Sequence, residues 1–273
     1  MPELPEIETL ARQIRPRVCG LVFSQVTMTE PTILKTSAPI LKKELPGRKV
    51  QTIFRQAKFL VFELSGKLNL WFHLGMTGQL FWAGPEFPRD KHVHAVLEFE
   101  NSPQGLIFRD IRKFGKIFMS NGRADSWPEG VKPFAKDPLE LSRENFIEIL
   151  RRRAGKIKSL LLNQRVMSGL GNIYADESLF EARVHPRSKP ARLSAKRLEN
   201  LYFSIRKVLE LAIQHGGSSI DDYIHADGRR GDFQNHHKVY GREEDPCIDC
   251  GARIRRIRLS GRSSFFCPHC QKF

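Results

Sequence analysis

The sequence predicts an α+β protein of several domains: an antiparallel β-sandwich with a leading helix, then a helical region, then a small module built on cysteines. Three observations support this prediction. Hydrophobic residues recur at the helical period up to Arg17, at a period of two from Leu21 to Ser120, and at the helical period again from Ser142 onward. Four of the five cysteines lie within the last 27 residues, which indicates a separate module.

The first helix is predicted over residues 5–17. Its apolar residues recur every three or four positions, so they share one face of the helix. Pro5 suits a first helical turn, and Pro16 and Gly20 are expected to end the helix.

The β-sandwich is predicted from segments in which apolar and polar residues alternate, with Pro-Gly, Ser-Gly and Gly-Pro turns between them. These segments are residues 21–29, 49–64, 68–73, 79–82, 94–100 and 106–120. Several strands joined by short turns favour antiparallel pairing, and the first helix is expected to pack on the sheets.

The second half of the chain is predicted to be largely helical. Residues 122–138 are rich in proline, glycine and charge, which predicts a linker between domains. Helices are predicted after Ser142 as the N-cap, and over residues 156–162, 172–180 and 194–214. Residues 221–235 have weak periodicity, which predicts a long mobile loop of the kind that often forms a lid.

The composition favours a nucleic-acid partner. The chain has 273 residues, a net charge of +15 and 40% hydrophobic residues, which indicates a folded protein with a strongly positive field. The sequence contains neither an apolar run of about 20 residues nor an apolar signal segment. We therefore expect a cytoplasmic or nucleoid location and no membrane partner; a basic protein without a nucleic-acid role is the alternative.

The most specific motif is a pair of Cys-x-x-Cys sequences, formed by Cys247 and Cys250 and by Cys267 and Cys270. In a cytosolic chain this arrangement predicts metal binding and not disulfides. Four thiolates complete a tetrahedral shell and leave no position open for water, so one structural Zn²⁺ is predicted. Cys19 lies outside the motif.

The segment between the two cysteine pairs is strongly basic. Residues 253–262 alternate arginine with apolar residues and have Ser260-Gly261 near their end, which predicts a β-hairpin with one basic face. Such a hairpin can grip DNA phosphates. The alternative is an ordinary solvated strand face.

The N-terminus combines an amine with a carboxylate. If Met1 is removed, the secondary amine of Pro2 becomes free, and an α-amino group titrates near pH ~8, so much of it is uncharged at neutral pH. With Glu3 beside it to transfer protons, this amine can attack an electrophilic carbon and form an imine. The alternative is an ordinary helix start.

Two glycine-flanked turns suggest side chains that enter a DNA duplex. Met76 lies in residues 73–78, and Arg112 and Phe114 lie in residues 110–115. An apolar wedge with an arginine can fill the space of an extruded base. Core packing of Met76 and Phe114 is the alternative.

Other basic and polar residues are weaker candidates. Residues 151–158 form a basic cluster, and Asn172, after Gly-Leu-Gly, is predicted to cap a helix and hold a phosphate. Lys58 is predicted to lie mid-strand, either as a buried base or as an edge-strand charge. His92 and His94 are predicted to make polar contacts, with metal binding as the alternative.

Taken together and in order, these motifs resemble the formamidopyrimidine-DNA glycosylases, a bacterial base-excision repair family. The resemblance covers residues 2–272. It is carried by residues 2–6, 57–58, 73–78, 112–115, 171–175 and 239–242, and by the four-cysteine finger with Arg262.

The resemblance implies three domains: a β-sandwich catalytic domain over residues 1–133, a helix–two-turns–helix domain with a lesion-capping loop over residues 134–237, and a zinc finger over residues 238–273. It also implies a monomer that binds damaged double-stranded DNA in a cleft between its halves. The implied activity is a bifunctional glycosylase and abasic-site lyase that excises oxidised purines, namely 8-oxoguanine and formamidopyrimidines.

The resemblance also implies residue roles. Pro2 is the nucleophile at C1′, Glu3 transfers protons at the sugar, Lys58 serves β-elimination and phosphate binding, and Arg262 serves δ-elimination. The implied DNA contacts are His92, Arg112, Arg153, Lys158 and Asn172. The implied intercalating residues are Met76, Arg112 and Phe114. The implied lesion lid contains Ser218, Ile220, Asp222 and Tyr223.

The chain departs from the family pattern at two places. Ile111 stands where proline is common, which should change only the stiffness of the turn. The acidic pair Asp221-Asp222 lies in the lid and makes the lesion preference less secure. The alternatives are an enzyme resembling endonuclease VIII, a DNA-binding zinc protein without catalysis, and a metal-dependent nuclease. The first usually has glycine in place of Leu4 and lacks the wedge residues.

Overall fold

A computed structural model describes residues 1–122, 127–220 and 222–273. The chain forms two compact units. The first contains Met1–Lys132 and His215–Asp232, and the second contains Pro133–Gln214 and Phe233–Phe273. Part of the predicted linker and Asp221 lie outside the described residues, and the three-domain division stays a prediction.

The first unit begins with helix α1 (Leu4–Val18). One face of α1 is buried, and Ile7, Leu10 and Ile14 join the same hydrophobic core as the two sheets. The helix predicted over residues 5–17 is confirmed to within one residue at each end, and Pro16 lies inside its last turn. Proline there removes one hydrogen bond near a helix end, while Val18 is completely buried.

Two four-stranded antiparallel sheets form the predicted sandwich. Their strands are β1 (Phe23–Met28), β2 (Val50–Gln56), β3 (Phe59–Leu64), β4 (Leu68–His73), β5 (Gly78–Ala83), β6 (Val93–Phe99), β7 (Gly105–Asp110) and β8 (Lys116–Asn121). One sheet has the order β1-β6-β7-β5 and the other β2-β3-β4-β8. A 3₁₀ turn (Pro31–Ile33) and helix α2 (Ala38–Glu44) connect β1 to β2.

Two predicted strands are each two strands in the structure: β2 and β3 pair as a hairpin, whereas β7 and β8 belong to different sheets. The segment 49–64 divides into β2 and β3 at a two-residue turn, Ala57-Lys58, and the segment 106–120 divides into β7 and β8. The first turn escaped prediction because Ala57 adopts the left-handed conformation (φ 55°) without being glycine or asparagine. Lys58 therefore lies in a turn and not in mid-strand.

The second unit is helical and ends in a hairpin. Its elements are α3 (Arg143–Arg151), α4 (Ile157–Leu161), α5 (Asn172–Glu181), α6 (Ala195–Gln214), strands β9 (Arg255–Leu259) and β10 (Arg262–Phe266), and 3₁₀ turns at Pro190–Arg192 and Phe233–His236. Ser142 is the N-cap of α3, as predicted, and its Oγ accepts a hydrogen bond from the Asn145 amide at 3.2 Å.

Helix α5 holds the cysteine module by its carboxylates. Buried Glu177 accepts hydrogen bonds from three consecutive amides, those of Lys238, Val239 and Tyr240, at 2.7–2.9 Å. Asp176 accepts from the Phe265 amide of β10 at 2.9 Å. These bonds attach both ends of the module to one helix. Within the described ranges, no helix is both long and apolar enough to cross a membrane.

Candidate active site and nucleic-acid interface

The N-terminus of α1 holds Pro2 and Glu3 in buried positions. Glu3 is 3% exposed and is the N-cap residue of α1. Its side chain accepts from the Glu6 amide, while the Glu6 carboxylate accepts from the Glu3 amide at 2.7 Å, which is a reciprocal capping box. The helix-start interpretation is therefore correct, and it fixes Pro2 and Glu3 in place. Met1, directly before Pro2, is exposed.

Glu6 also binds the loop that was predicted to be a lid. Its carboxylate accepts from the Ser218 amide at 2.8 Å, and its carbonyl accepts from the Tyr223 hydroxyl at 3.1 Å. Burial, and then the charge of Glu6, raises the pKa of Tyr223, so the hydroxyl stays protonated and donates. Glu6 is not among the site residues that the sequence predicts. The spacing of Glu3 and Glu6, which suits a capping box, was the available signal.

The loop that was predicted to be a lid belongs to the first unit, and hydrogen bonds hold it at several points. Ser218 and Tyr223 are buried, whereas Ile220 is 44% exposed. The Asp222 carbonyl accepts from Gln79 Nε2 at 2.7 Å, and the Ala226 carbonyl accepts from the Trp82 amide at 2.9 Å. Such backbone bonds leave no periodic pattern in the sequence, which explains why the segment was predicted to be mobile along its length.

Lys58 is buried despite its position in a turn. It is 5% exposed, and lysine is rarely buried to this degree. Nearby His73 accepts a hydrogen bond at Nδ1 from the Gly75 amide at 3.2 Å. Burial first, and then the charges of Lys58 and Lys116, lowers the pKa of His73 to about 4. His73 is therefore neutral at pH 7 and adds no positive charge beside Lys58.

Met76 and Phe114 are exposed, so the core interpretation of these two residues is wrong. Met76 is 40% exposed and Phe114 is 49% exposed. The guanidinium of Arg112 lies 4.7 Å from the centre of the Phe114 ring, a cation–π contact. His92 lies just before β6 and is half-buried, with its amide donating to Asp90 at 2.9 Å. Arg112 is also exposed. Met76, Arg112 and Phe114 are therefore accessible to a DNA duplex.

In the second unit, the predicted DNA contacts Arg153 and Asn172 differ in exposure: Arg153 is exposed and Asn172 is half-buried. Arg153 is exposed just after α3. Asn172 is the first residue of α5 and not its cap, because Gly171 is the N-cap. Within the part of the chain that the structure describes, Asn172 Oδ1 has no hydrogen-bond partner. A buried polar atom usually has a partner. Because Oδ1 is an acceptor, a contact from Asn172 to a phosphate oxygen would have to come from its Nδ2 donor.

Lys158 does not lie at the surface. It is completely buried, 2.7 Å from Asp176 Oδ1, and its ammonium donates to the Ser263 carbonyl of β10 at 2.8 Å. Burial raises the pKa of Asp176 to about 7, although the charge of Lys158 opposes this shift. An ammonium in such a site offers no surface to a phosphate. The prediction that Lys158 contacts DNA is therefore corrected: its pair with Asp176 joins α4, α5 and the hairpin.

The four cysteines predicted to bind metal lie together. Their Sγ atoms are within 4.8 Å of one another, with 3.9 Å between Cys247 and Cys270 and 3.5 Å between Cys250 and Cys267. Four sulfurs around one Zn²⁺ at about 2.3 Å are separated by about 3.8 Å, so these residues fit a tetrahedral zinc ion. The sulfur separations exclude a disulfide in either of these pairs.

The tip of the hairpin presents Arg262 to solvent. Ser260 and Gly261 have φ values of 48° and 79°, so the two-residue turn between β9 and β10 is of the primed type that suits a hairpin. Arg262 follows as the first residue of β10 and is exposed. The hairpin thus ends in a tight turn with exposed Arg262 directly after it.

Comparisons with known proteins agree with this arrangement. Residues 1–117 match the formamidopyrimidine-DNA glycosylase N-terminal domain, residues 134–223 match the formamidopyrimidine-DNA glycosylase H2TH domain, and residues 244–272 match a zinc finger found in FPG and IleRS. The chain is 45% identical to a formamidopyrimidine-DNA glycosylase from Solibacter usitatus, with both chains covered completely. It is 40% identical to another from Desulforamulus reducens, covering 100% of this chain and 99% of that protein.

Solved structures give the same relationship. A variant of the Lactococcus lactis FPG bound to DNA containing Fapy-dG superposes with a TM-score of 0.90 at 36% identity, and both chains are covered completely. The Lactococcus lactis protein bound to DNA with an abasic site superposes with a TM-score of 0.88 at 36% identity, over 99% of this chain and all of that one. The matches span the sandwich, the helical region and the zinc finger, and the chain therefore belongs to the formamidopyrimidine-DNA glycosylase family.

Proposed function

We propose that this chain is a bifunctional DNA glycosylase and abasic-site lyase of base-excision repair, acting on oxidised purines in duplex DNA. The observation that carries the proposal is the buried Pro2-Glu3 pair, held by the capping box at the start of α1 directly after Met1. The capping box stabilises the start of α1, and it also holds Pro2 and Glu3 in one geometry, which an imine-forming nucleophile and its proton-transfer group require.

The proposed chemistry begins at Pro2. After removal of Met1, the Pro2 nitrogen attacks C1′ of the damaged nucleotide, the bond from C1′ to the base breaks, and the base leaves with a proton. Glu3 supplies and accepts protons at the sugar as the ring opens. The product is an iminium between the Pro2 nitrogen and C1′, in which the base is already lost.

Strand cleavage follows by two eliminations. Loss of a proton from C2′ expels the 3′ phosphate, and a second elimination expels the 5′ phosphate; water then releases the sugar fragment from Pro2. Lys58 is proposed to serve the first elimination and Arg262 the second, because a cation stabilises a departing phosphate. The chemistry needs no metal ion at the reacting carbon, and the cysteine-bound zinc would only hold the hairpin that carries Arg262.

Binding is proposed to use both units. Arg112, Arg153, His92 and Asn172 would contact the DNA backbone, and Met76, Arg112 and Phe114 would fill the space of the extruded nucleotide. Ser218, Ile220, Asp222 and Tyr223 would cover the extruded base. Structural relatives from Lactococcus lactis are complexes with DNA that contains Fapy-dG or an abasic site, which supports damaged duplex DNA as the partner. A monomer located at the bacterial nucleoid is part of this proposal.

Borohydride trapping tests the proposal. Borohydride reduces an imine to a stable amine, so protein lacking Met1 should become covalently linked to a duplex that contains 8-oxoguanine. Trapping should occur without any added divalent cation. The matched control is Pro2→Leu, with retention of Met1 checked by intact mass, and it should form no adduct. An absent adduct with the mature protein, or an equal adduct with the control, would contradict the proposal.

A panel of lesions tests the substrate class. The proposal expects faster excision of 8-oxoguanine and formamidopyrimidines than of oxidised pyrimidines, each placed opposite C and opposite A. Faster excision of oxidised pyrimidines would instead favour the endonuclease VIII type of specificity. One related structure is described as the wild-type Lactococcus lactis protein with an oxidised pyrimidine in the DNA, so both lesion classes belong in the panel.

A further inference from the structure

Two separate loops carry the side chains proposed to enter the duplex. The turn between β4 and β5 carries Met76, and the turn between β7 and β8 carries Arg112 and Phe114. All three side chains are exposed, so they receive little support from packing. They can act as one wedge only if the backbones of the two loops are held together beneath them.

Asp110 lies beneath both loops. It is the last residue of β7 and is completely buried. Its Oδ1 accepts hydrogen bonds from the Thr77 hydroxyl of the first loop and from the Arg112 amide of the second, the latter at 3.2 Å. Its Oδ2 accepts from the Gly115 amide at 2.7 Å. One carboxylate therefore binds the first loop and both ends of the second.

Thr77 completes the connection. Its hydroxyl donates to Asp110 and accepts from the Arg112 amide at 3.1 Å. The carbonyl of Asp110 accepts from His94 Nε2 at 2.8 Å, which fixes the Asp110 backbone to β6. A buried carboxylate is costly unless its oxygens are satisfied, and here the donors that satisfy it come from the two loops it must join.

The two loops also touch backbone to backbone. Gly75 has a φ of 64°, and a Cβ there would lie 2.6 Å from the Phe114 carbonyl carbon and 2.7 Å from the Gly115 nitrogen. A side chain at position 75 would thus force the loops apart. The contact places the backbone that carries Phe114 directly against the turn that carries Met76.

We infer that Asp110 is a positioning residue that holds the two loops as one rigid wedge, with Thr77 as its link to the first loop. This inference rests on the proposed function. Asp110 does not touch DNA in this role; it acts through Met76, Arg112 and Phe114. Its removal should harm only those steps in which a nucleotide is displaced from a stacked duplex.

Two variants test the link. Asp110→Asn keeps the size of the side chain but replaces one acceptor by a donor, so at least one of the three donors loses its partner. Thr77→Val removes the hydroxyl and keeps the shape, whereas Thr77→Ser keeps the hydroxyl and should restore activity. Thr36→Val is the matched control, because Thr36 Oγ1 likewise accepts a backbone amide, that of Met119 at 2.8 Å, away from these loops.

The measurement compares two substrates under single-turnover conditions. Excision of 8-oxoguanine from a duplex requires the wedge, whereas cleavage of a single strand that contains an abasic site has no stack to open. Because a misplacement of about 1 Å can cost up to about 10²-fold in rate, Asp110→Asn and Thr77→Val should slow duplex excision by about tenfold or more. The ratio of duplex to single-strand rates should fall by a similar factor, and Thr36→Val should leave it unchanged.

The outcomes separate this inference from the proposed function. If the wild-type protein cleaves neither substrate, the proposed function is wrong. If the wild-type protein acts on both substrates and the variants lose both rates equally, or lose neither, the positioning role of Asp110 is wrong while the proposed function stands. If Asp110→Asn does not fold, as judged by circular dichroism, Thr77→Val and its serine counterpart decide the question.

Discussion

Arg153 and Lys158 are five residues apart in sequence, and their side chains lie in opposite environments. Arg153 is exposed, whereas Lys158 is completely buried against Asp176. A cluster of basic residues in a sequence indicates charge, but it does not show which side chains are buried. A completely buried ammonium cannot reach a phosphate. Lys58 differs from Lys158 because it is not completely enclosed: it lies in a turn and is 5% exposed.

Loss of Lys158 should destabilise the second unit. Lys158→Met leaves the Asp176 carboxylate buried without its cation, and breaking a buried pair in this way costs about 3–5 kcal/mol. Adding Asp176→Asn removes the unpaired buried charge and keeps an acceptor for the Phe265 amide. The double variant should therefore recover much of the free energy of unfolding that Lys158→Met loses. The measurement is urea unfolding of the zinc-loaded protein, monitored by the circular dichroism signal of its helices.

Arg153→Met is the control for this experiment, since its side chain is exposed and its loss should leave the unfolding midpoint unchanged. A Lys158→Met protein as stable as the wild type would show that the pair with Asp176 contributes nothing to folding.

At the scale of elements, helix α5 organises the second unit. Its first residue, Asn172, carries an oxygen without a partner in the described part of the chain, and its middle residues Asp176 and Glu177 hold the cysteine module. Phe180 from the same helix packs in the small core of the module with Val239 and Ile254. One helix thus joins the proposed phosphate contact to the hairpin that carries Arg262.

Removal of zinc should disorder the hairpin and weaken DNA binding. Structural zinc sites contribute apparent binding free energies of about 10–16 kcal/mol, which become folding free energy. Cys250→Ser should therefore lose bound zinc and bind DNA weakly, while Cys19→Ser, which changes the cysteine outside the cluster, should keep one zinc per chain. For the wild type and both variants, the amount of zinc released on unfolding and the affinity for DNA are measured. Unchanged DNA affinity in zinc-free protein would contradict this role of the finger.

At the scale of the whole molecule, the net charge of +15 sets how the protein meets DNA. A field of this size raises the rate of encounter with a polyanion and gives binding without sequence preference. The proposed contacts are distributed over both units: His92 and Arg112 belong to the first, and Arg153 and Asn172 belong to the second. Affinity should therefore fall steeply with salt on any DNA duplex.

The salt dependence can be assigned to single residues. Each phosphate contact contributes about 0.9 to the slope of log affinity against log salt concentration, so Arg153→Met should lower that slope by about 0.9 on damaged and undamaged duplexes alike. Lys158→Met, if measured at a temperature where the protein stays folded, should leave the slope unchanged because its ammonium is buried. A loss of affinity confined to one DNA sequence would instead mean that Arg153 reads bases.

Much of the architecture could be predicted from local pattern. The period of two predicted the sandwich strands, the helical period predicted α1 and the later helices, and the cysteine spacing predicted the metal site. Element boundaries were predicted less well where the sequence lacks the residues that usually mark a turn or a helix end. The turn at Ala57 has no glycine, and Pro16 lies inside the last turn of α1 without ending the helix there.

The sequence by itself determined the fold class, the zinc ligands and the position of Pro2 and Glu3 at the start of the first helix, because each depends on residues that are neighbours in the chain or repeat at a fixed period. Only the tertiary structure decided that Lys158 is buried, that Glu6 ties the loop at Ser218 to α1, and that Asp110 joins two loops. The physical reason is that burial and hydrogen bonding between distant segments depend on which surfaces meet, and local composition does not record that.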